Sequence, residues 1–171
     1  MGEHILGAIL AGGQSRRFGS DKAVAVWRGA RMIDHIHAAL SDFADEVIVC
    51  GRDGGVADRP EGGRGPLAGL NAALHWGAAQ GFDRVLSIGC DTPQVSPALP
   101  ARLIANEGPA FAIACPIIGC WPVGLAASLD YFLATDAKCS LKGWATFTGA
   151  HGIASAPILN VNTPADLETA S

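Results

Sequence analysis

This chain has little charge. Asp, Glu, Lys and Arg together make up 16% of its 171 residues, and the net charge is −4. A nucleic-acid-binding surface needs a dense basic footprint, so that class is excluded. The cysteines, Cys50, Cys90, Cys115, Cys120 and Cys139, are odd in number and form no CxxC pair. That pattern speaks against a disulfide framework or a zinc site and fits reduced thiols. The five histidines show no metal-ligand spacing. No basic region precedes the apolar residues 5–15, so they do not read as a secretion signal. The "SRRF" at 15–18 is followed by Ser20, Asp21 and Lys22, where a twin-arginine signal would turn apolar. Residues 108–129 carry no charge, but Pro109, Pro116, Pro122, Gly119 and Gly124 break them up. They read as two buried strands and a helix start rather than a membrane span. The expectation is a cytoplasmic protein with no membrane partner.

Apolar residues make up 49% of the chain, enough for one domain with a sizeable core. Four near-continuous apolar runs, at 4–11, 46–50, 84–90 and 110–115, predict strands of a parallel sheet covered on both faces. Helical periodicity lies between them at 31–40, 67–80 and 97–105. This alternation predicts a three-layer α/β/α fold with a mostly parallel, Rossmann-like sheet in a single domain spanning 1–171. Three polar or glycine-rich loops, 12–22, 51–66 and 91–96, then fall at the C-terminal ends of strands. Open α/β sheets bind ligands at that edge.

Each loop has a chemical reading and a plainer one. In the first, Gly12 and Gly13 let backbone N–H groups approach an anion, with Arg16, Arg17 and Lys22 to neutralise phosphates. It is neither a Walker loop nor a GxGxxG fingerprint, and its plainer reading is a solvated basic turn. In the third, Asp91 at a strand end suits Mg²⁺, which takes one or two carboxylates plus substrate phosphates. Alternatively, Asp91 caps the turn with Thr92 and Pro93. The second holds Asp58 and ends in Gly65-Pro66-Leu67-Ala68-Gly69 at a helix start, where a flat ring or a phosphate could lie close to the backbone. Together the loops suggest a nucleotide, a metal, and phosphoryl or nucleotidyl transfer.

Leu10-Ala11-Gly12-Gly13-Gln14-Ser15-Arg16-Arg17-Phe18-Gly19-Ser20-Asp21-Lys22 resembles the LAGGxSxRMGxDK signature of the sugar-nucleotidyltransferase-like superfamily. Within that superfamily the chain is most similar to the molybdenum cofactor guanylyltransferases of the MobA type. Four later segments agree in order: Gly65–Gly69, Cys90-Asp91-Thr92-Pro93, Gly119-Cys120-Trp121-Pro122-Val123, and the ending that starts Asn160-Val161-Asn162-Thr163-Pro164 and runs on to Leu167.

The resemblance implies a Mg²⁺-dependent enzyme that transfers GMP from GTP to the phosphate of molybdopterin, as its molybdenum cofactor, and releases pyrophosphate. It implies that the backbone at Leu10, Ala11, Gly12 and Gly13 holds the nucleotide, together with Gly65, Pro66 and Leu67. Arg17 and Lys22 would lie on the phosphates, Asp58 would help read guanine, and Asp91 would be the metal ligand. Asn160 and Asn162 would close the acceptor side, with Trp121 flanking the pterin. On this pattern the N-terminal half binds nucleotide and the C-terminal half binds acceptor. The second glycine of LAGG, paired with GPLAG, points to GTP over CTP. Molybdoenzymes or cofactor-delivery proteins would be further partners.

Phe18 stands where the pattern has methionine, and Cys115 stands where the family often has histidine. The basic helix of the family is matched only loosely by Lys138 and Lys142. Alternatives are a cytidylyltransferase or sugar-phosphate nucleotidyltransferase of the same fold, or a nucleotide-binding protein without turnover. Trp27, Trp76, Trp121 and Trp144 read as core or cleft wall, with the flanking of the pterin a second reading of Trp121.

Overall fold

Six consecutive buried residues, Ile5–Leu10, form strand β1 in the interior of the sheet. Side chains of a strand alternate between faces. Ile5 and Ile9 accordingly join one apolar cluster, while Leu6, Ala8 and Leu10 join another on the opposite face. A strand so placed needs cover on both sides, which is why its sequence is apolar throughout. The computed structural model of the protein describes residues 2–12 and 21–169.

After β1 come a 3-10 turn (Lys22–Val24), a small hairpin of β2 (Val26–Trp27) and β3 (Ala30–Arg31), helix α1 (Met32–Ser41) and strand β4 (Glu46–Cys50). Next are α2 (Pro66–Gln80), β5 (Arg84–Gly89), α3 (Ala98–Ala105), β6 (Ala110–Ala112) and β7 (Cys115–Pro122). The chain ends with α4 (Ala126–Thr135), α5 (Leu141–Thr148), β8 (His151–Ile153) and α6 (Pro164–Thr169). The main sheet has the order β4-β1-β5-β7-β6-β8. β4, β1 and β5 run parallel, as do β6 and β8, whereas β7 is antiparallel to both neighbours. Helices α1 and α3 pack with one apolar cluster, and α2, α4 and α5 with the other, giving three layers.

The predicted strand at 110–115 is instead β6 followed at once by the start of β7. Only Ile113 and Ala114 separate the two, and a connection that short joins antiparallel strands only. The uncharged stretch 108–129 thus supplies two strands and the beginning of α4. Among the described residues no helix is long and apolar enough to cross a membrane.

Two details place the site. Pro66 occupies the first turn of α2, where its missing N–H costs nothing, and Gly81 ends that helix in a left-handed conformation. Beyond β8 the chain returns to the end of β5. There the Val161 N–H donates to the Asp91 carbonyl at 2.8 Å, and the Val161 side chain is buried with Trp27 and Met32.

Candidate functional site

Lys22 is set by a local cap. The Asp21 carboxylate accepts from the Ala23 N–H at 3.1 Å, closing the 3-10 turn that Lys22 begins. From there Lys22 Nζ donates to the Val161 carbonyl and to Asn162 Oδ1, each at 3.3 Å, and stands 3.7 Å from Asp91 Oδ2. The side chains of Lys22 and Asp91 are 16% and 24% exposed, so the charges are shielded yet reachable.

The turn after β5 does not use the Asp91 carboxylate. Thr92 closes it, donating to the Gly89 carbonyl through both N–H and Oγ1. The capping alternative for Asp91 therefore falls away. Asn162 is fixed in its turn by Asp166, whose carboxylate accepts from the Asn162 and Thr163 N–H groups at 2.8 Å each. Those backbone donors hold the Asp166 carboxyl below its ordinary pKa. The sequence "NTPAD" is thus a helix start whose cap orients Asn162 towards Lys22. Asn160 lies two residues earlier and is exposed.

Asp58 occupies a cradle of glycines on the other side of β1. A Cβ added at Gly12 would come within 2.5 Å of Asp58 Oδ2, and one at Gly51 would collide with the Gly12 backbone and reach 2.7 Å from Asp58 Oδ1. Gly51 also has φ +82°, a conformation that a side chain rarely adopts. Asp58 Oδ1 is buried and, among the described residues, has no hydrogen-bond partner. Burial pushes this carboxyl above its ordinary pKa. A cleft of about 370 Å³ opens beside it, lined by Gly51, Arg52, Ala57, Asp58 and Gly62 among others. A buried carboxylate oxygen lacking a donor, at the wall of a cleft, is suited to a ligand that brings N–H groups.

The loop carrying Asp58 is tied down on both sides. Arg52 Nη1 donates to Asp21 Oδ1 at 3.2 Å, and the second guanidinium nitrogen pairs with Oδ2. Arg59 donates to Asp130 through Nε and Nη2, at 3.1 and 3.3 Å. Burial alone would raise the Asp130 carboxyl, but hydrogen bonds from Arg59 and Asn71, with His75 alongside, outweigh it and hold the pKa at about 2. Sequence reasoning missed Arg52, Arg59, Asn71, His75 and Asp130, since neither their spacing nor any motif links them. The signal the sequence offered was the presence of three arginines, Arg52, Arg59 and Arg64, within the glycine-rich run.

Of the expected site residues, the structure hydrogen-bonds Lys22 to Asn162, sets it 3.7 Å from Asp91 and puts Gly12 against Asp58. Gly65 and Pro66 are exposed at the head of α2. Gly13 and Arg17 lie outside the described residues. Leu10 and Ala11 complete the sheet: the Leu10 carbonyl accepts from Cys90 N–H and the Ala11 N–H donates to the Cys50 carbonyl. Leu67 is 0% exposed and supports its segment from beneath. Trp121 keeps its core reading, and the pterin-flanking one is corrected. It is 0% exposed in the core beside Trp144, with its indole N–H on Ser87 Oγ at 3.2 Å, and cannot flank a bound ring.

The described residues contain no cluster of three or more His, Cys, Asp or Glu that could hold a metal ion by itself. A single shielded carboxylate fits Mg²⁺ in its usual mode of one or two carboxylates with substrate phosphates completing the shell. Asp91 meets that requirement.

Residues 7–136 match the MobA-like NTP transferase domain family. A molybdenum cofactor guanylyltransferase of Acidiphilium cryptum is 35% identical, over 99% of this chain and 95% of that protein. One from Rhizobium johnstonii is 34% identical, over 96% and 90%. Among solved structures, molybdopterin-guanine dinucleotide biosynthesis protein A of Archaeoglobus fulgidus superposes with a TM-score of 0.70 at 21% identity, covering 96% of each chain. A 2-C-methyl-D-erythritol 4-phosphate cytidylyltransferase from Thermus thermophilus superposes with a TM-score of 0.68 at 19% identity, covering 99% and 97%. These structural likenesses show the shared fold.

Proposed function

The chain belongs to the MobA-like NTP transferase family, and from that membership we propose that it is a guanylyltransferase moving GMP from GTP onto the phosphate of molybdopterin. The observation that carries this reading is the contact of Lys22 with both Asp91 and Asn162. It joins the signature loop, the end of β5 and the C-terminal segment into one polar site.

In this reading Asp58 accepts from the N1–H and 2-amino groups of guanine, which gives its orphaned oxygen the donors it lacks. Gly12 and Gly51 keep the backbone low enough for the base to reach that carboxylate. Gly65 and Pro66 border the nucleotide, the backbone of Leu10 and Ala11 forms the floor beneath it, and Gly13 is assigned to nucleotide binding with them. Lys22 neutralises charge at the α-phosphate, and Arg17 is assigned to the phosphates beside it. Asn160 and Asn162 face the acceptor, so the C-terminal half holds molybdopterin as the N-terminal half holds nucleotide. Asp91 would hold Mg²⁺, which supplies charge neutralisation on the phosphates when bound.

The acceptor phosphate oxygen forms a new bond to the α-phosphorus of GTP, and the bond to the bridging oxygen breaks, releasing pyrophosphate. Phosphate monoesters are largely ionised at neutral pH, so the chain needs no general base. Its own contribution is orientation and the cation Lys22 beside the developing charge.

The test is pyrophosphate release from purified protein, molybdopterin and a panel of GTP, CTP and ATP, with the dinucleotide product identified by mass. GTP should be preferred. Preference for CTP would overturn the nucleotide assignment, and binding without release would replace the enzyme with a nucleotide-binding protein.

A further inference from the structure

Asp58 sits in a loop with little rigidity of its own. Gly51, Gly54 and Gly55 precede it, and Gly62, Gly63 and Gly65 follow. Glycine gives up more conformational freedom on ordering than any other residue. Something must therefore hold the carboxylate at its depth in the cleft.

The next residue, Arg59, is held at three points. Its N–H donates to the Ala68 carbonyl at 3.0 Å, its own carbonyl accepts from Asn71 Nδ2 at 3.1 Å, and its guanidinium spans both oxygens of Asp130. Asp130 gathers two further donors: Asn71 Nδ2 at 2.7 Å and His75 Nε2 at 2.9 Å. Asn71 and His75 are four residues apart on α2 and so share a face of that helix; Asp130 comes from α4. Asn71 is completely buried, and its amide is shared between Arg59 and Asp130. One carboxylate on α4 thus binds α2 and the loop together, a single residue away from Asp58.

We propose that Asp130 is a positioning residue for base recognition, holding Asp58 in register with the purine through Arg59 and Asn71. It touches no substrate. The inference rests on the reading of Asp58 as the carboxylate that meets guanine. Without the Asp130 charge, the Arg59 guanidinium has no fixed target and the Asn71 amide loses its shorter bond. The six glycines then let the loop carry Asp58 out of its cradle. Loss of hydrogen bonds to a charged group at such a junction corresponds to a change of about ten-fold in affinity.

The experiment compares binding of GTP and ITP, which lacks the 2-amino group, to the full chain and to Asp130→Asn, by calorimetry without acceptor. GTP binding should weaken about ten-fold and ITP binding, which keeps the N1–H contact but has no 2-amino contact to lose, by less, so the GTP/ITP ratio contracts. Arg59→Met, which keeps the apolar stem, should contract the ratio in the same way and serves if Asp130→Asn fails to fold. In an Asp58→Ala background, Asp130→Asn should have no further effect on the ratio. A ratio that contracts in Asp58→Ala but stays intact in Asp130→Asn and Arg59→Met would overturn the inference and leave base reading in place. A ratio unchanged in Asp58→Ala would overturn base reading itself, and this inference with it.

Discussion

Lys22 Nζ lies 3.7 Å from Asp91 Oδ2, beyond hydrogen-bond length, while it donates at 3.3 Å to the Val161 carbonyl and to Asn162 Oδ1. The three partners are all oxygens, two of them uncharged. The ammonium is therefore positioned without being fully neutralised, and the carboxylate keeps lone pairs available for a cation. That division suits a site in which both an anionic phosphate and a metal ion must be received.

From this pairing, Lys22→Ala should lower kcat/KM for nucleotidyl transfer by about 10²–10³-fold, the usual cost of removing one electrostatic contact to a transition state. The ion pair lies beyond hydrogen-bond length and contributes about 0–1 kcal/mol to stability. The two hydrogen bonds lost with Lys22 contribute about 1 kcal/mol each, so the melting temperature should fall by only a few degrees. Steady-state pyrophosphate release alongside calorimetry measures both. A large drop in melting temperature with unchanged turnover would assign Lys22 a structural role instead.

Chelation followed by re-addition of metal probes Asp91. EDTA should abolish transfer and Mg²⁺ should restore it in the wild-type protein. In Asp91→Asn, Mg²⁺ should fail to restore it at the same concentration, because the remaining described side chains offer no alternative cluster. Turnover in that variant at wild-type Mg²⁺ concentration would remove Asp91 from the metal site.

Gly51→Ala tests the glycine cradle. The substitution forces a side chain into φ +82° and against Gly12 and Asp58. Left-handed backbone alone costs about 1–2 kcal/mol, equivalent to a fall of about 2–8 °C in melting temperature for a chain of this size. GTP binding should weaken further than the lost stability explains, since Asp58 is displaced directly. Thermal melts and GTP calorimetry on the same preparation separate the two effects.

The sequence made the parallel half of the sheet legible because β1, β4 and β5 are bounded by turn residues and form near-continuous apolar runs, interrupted only by Glu46 at the start of β4 and by Arg84 and Ser87 in β5. It made the polar edge legible for the same reason, since loops follow strands. Of the two readings of Trp121, core wall holds and pterin flanking does not, because motif position says nothing about which face of β7 a residue occupies. Its indole points inwards to Ser87. The Asp130 junction was illegible because Asp130 and Arg59 are 71 residues apart in the chain. Their contact exists only once α2 and α4 pack side by side.

Acid titration should reveal that junction in solution. The Asp130 carboxyl is held at about 2 in the folded protein against 3.8 ordinarily. A carboxyl whose pKa is depressed by folding contributes stability above its unfolded pKa and loses it as pH falls through the folded value. The melting temperature should therefore decline between about pH 4 and 2, and the decline should be shallower in Asp130→Asn. The group is 39% exposed, so solvent screening keeps the effect modest. Identical acid profiles for the two proteins would deny Asp130 this contribution.

Asp58 should behave in the opposite sense. Burial raises its pKa above the unfolded value, so at neutral pH the folded state carries a carboxylate that it disfavours. One of its oxygens is buried without a donor, which is a cost in the absence of ligand. Asp58→Asn removes the charge at nearly constant shape, and should raise the melting temperature of the nucleotide-free protein by about 2 °C. The same change replaces an acceptor with a donor facing the base, so GTP affinity should fall about ten-fold or more. Stability gained with affinity lost is the signature of a carboxylate retained for its ligand. A variant that melted lower and bound GTP unchanged would mean that Asp58 serves the fold instead.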